Sequence, residues 1–180
     1  RTTILEPGDL AIVAINNTIN GEGNTADEFS FVIFKKITPE TSIDMTDNGY
    51  GRLYEGLWGT NEGFWRITRK NSSLGTGSVI TITETTGSIG YTGNGGVEPD
   101  LWNNINIYVN GVLDYDNWEI NVDGPLDLNE KDQIWIMQGG EWLRDTEGGK
   151  TEHNAYYTGN VLYGYTATGW LNYYGYEGDR

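Results

Sequence analysis

The chain contains no cysteine. That excludes disulfide staples, zinc–thiolate centres and thiol nucleophiles together. Histidine is nearly absent too: His153 stands alone, and no G-x-S-x-G, H-E-x-x-H, P-loop or dinucleotide-binding signature accompanies it. Positive charge is scarce, with 11 Lys and Arg against 26 Asp and Glu and a net charge of −15. Such a field repels nucleic-acid phosphates and anionic lipid surfaces, so neither is an expected partner. No run approaches the roughly 20 apolar residues of a membrane span, so membrane insertion is not expected. The chain opens on Arg1 without a basic-then-apolar leader, as a processed product would. Proline is rare, 4 residues against 26 glycines, a balance that suits many turns between short strands rather than long helices.

What is present is aromatic and alternating. Hydrophobic residues make up only 37% of the chain, below the usual share, while 13% of residues are aromatic, so the core must lean on large rings. Period-two runs rich in Ile, Val, Thr, Tyr, Phe and Trp predict strands at 10–16, 29–37, 42–45, 63–69, 78–83, 105–109, 118–122 and 133–138. Weaker ones are predicted at 161–166 and 170–174. Asn-Gly, Asp-Gly and Gly-Gly pairs punctuate them. Asn110-Gly111, between Ile105 and Tyr115, reads as a hairpin with a type I′ turn. No sustained 3.6-residue period, fixed repeat or composition break is visible. The expected architecture is all-β, an immunoglobulin-like or jelly-roll-like β-sandwich, in one domain over 1–180. Residues 1–6 are a candidate N-terminal donor or edge strand.

The carboxylates fall into three groups. Asp47 and Asn48, in Thr46-Asp47-Asn48-Gly49, could join Glu62 as oxygen ligands for Ca2+, with backbone carbonyls and waters completing the shell. Turn-making by Asp and Asn side chains is the plainer use of the same residues. Asp27, at the head of a strand and beside Glu28, is a further candidate calcium ligand. Asp114, Asp116, Glu119 and Asp123 crowd around Trp118. Paired carboxylates can perform glycosidic acid–base work, but no motif marks them for it, and no catalytic residue is assigned. The protein is not read as an enzyme.

The C-terminal third is dense in tyrosine. Strand alternation would put Leu162 and Gly164 on one face and Tyr163 and Tyr165 on the other, a ladder suited to an interface or to stacking on sugars. Tyr163, Tyr165, Tyr173 and Tyr174 are therefore candidate interface residues. So are Thr2, Thr3, Ile4 and Leu5, which could pair along a neighbour's sheet edge.

Five phrases occur in order: Gly8-Asp9-Leu10-Ala11-Ile12-Val13-Ala14-Ile15-Asn16, Asp27-Glu28-Phe29-Ser30-Phe31-Val32, Thr46-Asp47-Asn48-Gly49, Asn61-Glu62-Gly63, and Lys131-Asp132-Gln133-Ile134 with Gln138-Gly139. Together they resemble a lamin-tail-like β-sandwich module of secreted bacterial surface proteins of the Bacteroidetes type. The resemblance implies an exported, non-catalytic, immunoglobulin-like sandwich with no catalytic residues to carry over. The tyrosine-rich end and the acidic middle depart from it. The expectation is an extracellular structural protein, a subunit or module of a bacterial surface filament, sheath or adhesin, self-associating by strand-edge pairing. The alternative is a glycan-binding or accessory module of a secreted enzyme, with Trp and Tyr as the stacking platform.

Overall fold

A computed structural model describes residues 1–16, 27–51, 57–60, 62–84, 105–124, 126, 128, 132–144 and 155–167. Twelve strands run through them. They are β1 (Leu10–Asn16), β2 (Glu28–Ile33), β3 (Ser42–Thr46), β4 (Phe64–Arg69), β5 (Val79–Glu84), β6 (Ile105–Val109), β7 (Val112–Leu113), β8 (Trp118–Asp123), β9 (Gln133–Gln138), β10 (Trp142–Arg144), β11 (Ala155–Tyr157) and β12 (Asn160–Thr166). Every pairing is antiparallel. One five-stranded sheet has the order β1-β2-β5-β6-β7, the other the order β12-β9-β3-β4-β8, and β10-β11 form a separate ribbon. This is the expected all-β sandwich. The expected strand at 170–174 lies outside the described residues.

Alternation decides which side chains meet. Phe29, Phe31 and Ile33 of β2, Ile80 and Ile82 of β5, and Ile105 and Ile107 of β6 line the inner face of the first sheet. Ile43 and Met45, Trp65 and Ile67, and Ile134 and Ile136 answer them from the second, all essentially free of solvent. The Trp65 ring needs a partner for its N–H once buried, and Nε1 donates to the Gly124 carbonyl at 3.1 Å. Gly124 sits at φ +103, and a Cβ there would come within 2.9 Å of the Gly63 Cα. Glycine is therefore required on both counts. Asn110 and Gly111 take φ 50 and 79, the left-handed pair that a type I′ turn demands.

The second sheet is covered on its outer face as well. Phe64, Trp135, Met137 and Val161 point outward there, and Tyr50, Trp58, Trp142, Ala155 and Tyr157 pack over them as a second cluster. Trp58 and Trp135 meet edge to face at 5.9 Å, and Phe64 stacks on Trp142 at 5.2 Å. Among the described residues no helix is long and apolar enough to cross a membrane.

Candidate functional site

The loop after β3 is held by its own side chains. Asp47 Oδ1 accepts the Gly63 N–H at 2.8 Å, and Asn48 Oδ1 accepts that of Glu62 at 3.1 Å. Asn48 Nδ2 donates to Thr46 Oγ1 and to the Gly63 carbonyl, which also receives the Thr46 hydroxyl at 2.6 Å. The side chains of Asp47 and Asn48 are thus held against the backbone of Glu62 and Gly63, and the bonds they make satisfy buried backbone groups. Asp27 serves a different loop: its Oδ2 accepts the Leu128 N–H at 2.9 Å, beside the buried Leu126 and Leu128. Among the described residues no three His, Asp or Glu side chains converge into a group that could hold a metal ion.

The N-terminal segment is docked on its own sandwich. Leu5 is a core residue. Gln138, the last residue of β9, clamps the segment: Oε1 accepts the Leu5 N–H at 2.6 Å, while Nε2 donates to the carbonyls of Thr3 and Ser42. Thr3 also bonds Thr41, Thr38 and the Lys36 carbonyl. Of the segment expected to pair with a neighbour, Thr3 and Leu5 are engaged within the chain, and Ile4 stands out at 67% exposure.

The tyrosines of β12 do not form a simple outer ladder. A bulge between Val161 and Tyr163 breaks the alternation. As a result Leu162, Tyr163 and Tyr165 all turn toward the main core, the two tyrosines half-buried against it. Gly164 faces the other way, under the Trp135 ring, where a Cβ would lie 2.7 Å from ring carbons. Tyr173, Tyr174 and His153 lie outside the described residues.

The acidic group near Trp118 is split. Asp114 accepts hydrogen bonds from the Arg69 guanidinium, from Asn117 Nδ2 at 2.6 Å and from Trp118 Nε1 at 3.1 Å. Burial pushes its carboxyl up, but the bonds from Arg69 and Asn117 and the Arg69 charge outweigh that and hold it below the usual carboxylate range. Arg69 in turn lies 5.0 Å over the Trp118 ring and bonds both Ser72 oxygens. Asp116 stays exposed.

What the sheet order adds is a charge asymmetry between the two sides of the sandwich. Among the described strands the edges on one side are β1 and β12, which lie against each other. Neither carries a charged residue along its 7 positions. On the other side β7 has 2 residues, and β8 carries Glu119 and Asp123. Each uncharged edge has one bulge, at Val13 in β1 and near Leu162 in β12. Val13 is 55% exposed. A bulge bends its strand and increases the local twist, which narrows the stretch of edge open to pairing. The uncharged stretch of β1 is visible in the sequence, but only the strand order shows that it is an edge and that β12 is its neighbour.

Comparison with family models, with curated proteins and with solved structures finds no match for the chain.

Proposed function

We propose that this protein is an extracellular structural module that works by self-association, a subunit or module of a bacterial surface filament, sheath or adhesin, joined through the β1 and β12 side of its sandwich. The observation that carries the reading is the absence of charge from those two adjoining edges in a chain of net charge −15. Exposed edge strands offer unpaired N–H and C=O groups to other chains, and charged side chains are a common guard against such pairing. Here the carboxylates guard the β8 edge and are missing from β1 and β12. The resemblance to lamin-tail-like modules of secreted bacterial surface proteins supports the extracellular placement. The N-terminal segment, docked internally, contributes Ile4 as its outward residue.

Sedimentation velocity across a concentration series tests the reading. Wild-type protein is expected to associate, and Val13→Lys to remain monomeric. Lysine lowers the net negative charge, so weaker overall repulsion would favour association. Its loss in this variant therefore reports the edge itself. A wild-type chain monomeric at every concentration, or Val13→Lys associating as the wild type does, would overturn the proposal.

A further inference from the structure

We infer that the β6–β7 hairpin and the turn after it form a binding groove for a neutral carbohydrate, a site independent of the edge-pairing side. The hairpin leads into a 3₁₀ turn, Tyr115–Asn117. A cavity of about 380 Å3 opens there, lined by Asn106, Leu113, Asp114, Tyr115, Asp116 and Asn117. Three large apolar side chains stand in the solvent within this short stretch: Val112 at 69%, Leu113 at 55% and Tyr115 at 45% exposure. Clustered exposed apolar groups beside a cavity mark a contact surface more often than scattered ones do.

The groove is also rigid. Asp114, one of its lining residues, has its carboxylate fixed by Arg69, Asn117 and Trp118. Its backbone is tied by Asp114 N–H to the Ile107 carbonyl at 2.9 Å and by Asn117 N–H to the Asp114 carbonyl at 3.1 Å. A loop held this firmly loses little freedom when a ligand binds. Among the described residues the side chains of Asn106 and Asp116 make no hydrogen bond with the rest of the protein. An amide that both donates and accepts, and a carboxylate that accepts, therefore remain open at the rim.

The chemistry selects the ligand class. A pyranose ring has an apolar C–H face that stacks on an aromatic ring and hydroxyls around its edge that pair with amides and carboxylates. Tyr115 and Leu113 supply the first surface, Asn106 and Asp116 the second. Two carboxylates at the groove and a net charge of −15 reject phosphorylated, sulfated or acidic sugars. With 2 residues in β7, the edge is too short a template for an added peptide strand.

The test is calorimetric titration of the whole chain with soluble neutral oligosaccharides (glucan, mannan, galactan and xylan fragments) beside an acidic one such as alginate. One neutral series is expected to bind at a Kd of about 1 mM or tighter. Tyr115→Ala and Asp116→Asn should each weaken it by at least about tenfold. Both residues are exposed, so the melting temperature should not move, which separates lost binding from lost folding. Val13→Lys should bind as the wild type does, so failure of assembly leaves this site standing. No neutral glycan bound up to about 10 mM, preference for the acidic polymer, a protein bound through Tyr115 in place of any glycan, or binding unchanged in Tyr115→Ala would each overturn the inference.

Discussion

Asp44 is an acidic side chain that is only 1% exposed. It persists because three donors meet it: Arg66 Nε at 2.6 Å, Arg66 Nη2 at 2.8 Å and the Tyr157 hydroxyl at 2.5 Å. Arg66 Nη2 also donates to the Gly140 carbonyl, and the Tyr157 oxygen accepts the Gly140 N–H. The network closes on itself, as buried polar groups require. Tyr157→Phe removes a donor from a buried carboxylate and orphans an amide, so it should cost about 1–3 kcal/mol in urea unfolding. The pH dependence has a definite sign. Burial first, then the bond to Asp44 and its charge, raise the Tyr157 hydroxyl above the ordinary tyrosine range. An unfolded tyrosine ionises near pH 10. The contribution of Tyr157 is therefore complete below about pH 10 and is lost as pH rises beyond it. Urea midpoints followed through the alkaline range should fall less steeply in Tyr157→Phe than in the wild type. Asp114 behaves oppositely. Its carboxyl is depressed, so its contribution is present above about pH 4 and disappears as pH falls.

At the scale of elements, the N-terminal strap is held by a side chain from β9. Gln138→Ala would leave the Leu5 N–H and the Thr3 and Ser42 carbonyls without their amide partner. We expect a loss of about 2–4 kcal/mol and faster proteolysis within the first residues. An unchanged urea midpoint would show that the strap adds nothing to the fold. The Thr46–Gly49 loop offers a second test. Asp47→Ala orphans the Gly63 N–H and should cost about 1–3 kcal/mol. Equal losses in calcium and in EDTA would assign Asp47 to backbone bonding; a loss confined to calcium would make it a metal ligand. Strand positions were readable from alternation alone: 10–16, 105–109 and 133–138 match β1, β6 and β9 end to end. The β10–β11 ribbon was not, because strands of 3 residues carry too little pattern. The orientation of Tyr163 and Tyr165 also escaped the pattern. A single bulged residue reverses which face follows, and nothing in the local sequence of β12 announces the bulge.

For the whole molecule, the charge of −15 opposes any self-association. If the joining surface is the uncharged β1 and β12 side, salt screens the repulsion without weakening the contact. Association measured by sedimentation should therefore strengthen as ionic strength rises from about 10 to 150 mM. Dissociation by salt would point to an interface built on ion pairs and would count against the proposed side. The two faces of the second sheet extend the same theme. The main core lies between the sheets, and the cluster of Trp58, Met137, Ala155 and Tyr157 lies outside one of them. Tyr50, Trp58, Phe64, Trp135, Trp142 and Tyr157 come from separate stretches of the chain, so their meeting could not be read from spacing.

The amino-acid sequence by itself determined the all-β class, most strand positions, the Asn110-Gly111 hairpin and the absence of cysteine, hence of thiol chemistry. These depend on local rules, namely side-chain alternation along a strand, the left-handed backbone of a turn, and composition. The use of the Asp47 and Asn48 side chains to bond loop backbone was also visible, through turn chemistry. Only the tertiary structure decided that Leu5 fills the chain's own core and that Asp27 caps a different loop from Asp47. It alone set β1 beside β12 and exposed Tyr115 next to a fixed Asp114. Each of those depends on which distant strands pair and stack, and long-range pairing is set by the packing of the core as a whole rather than by any stretch of neighbouring residues.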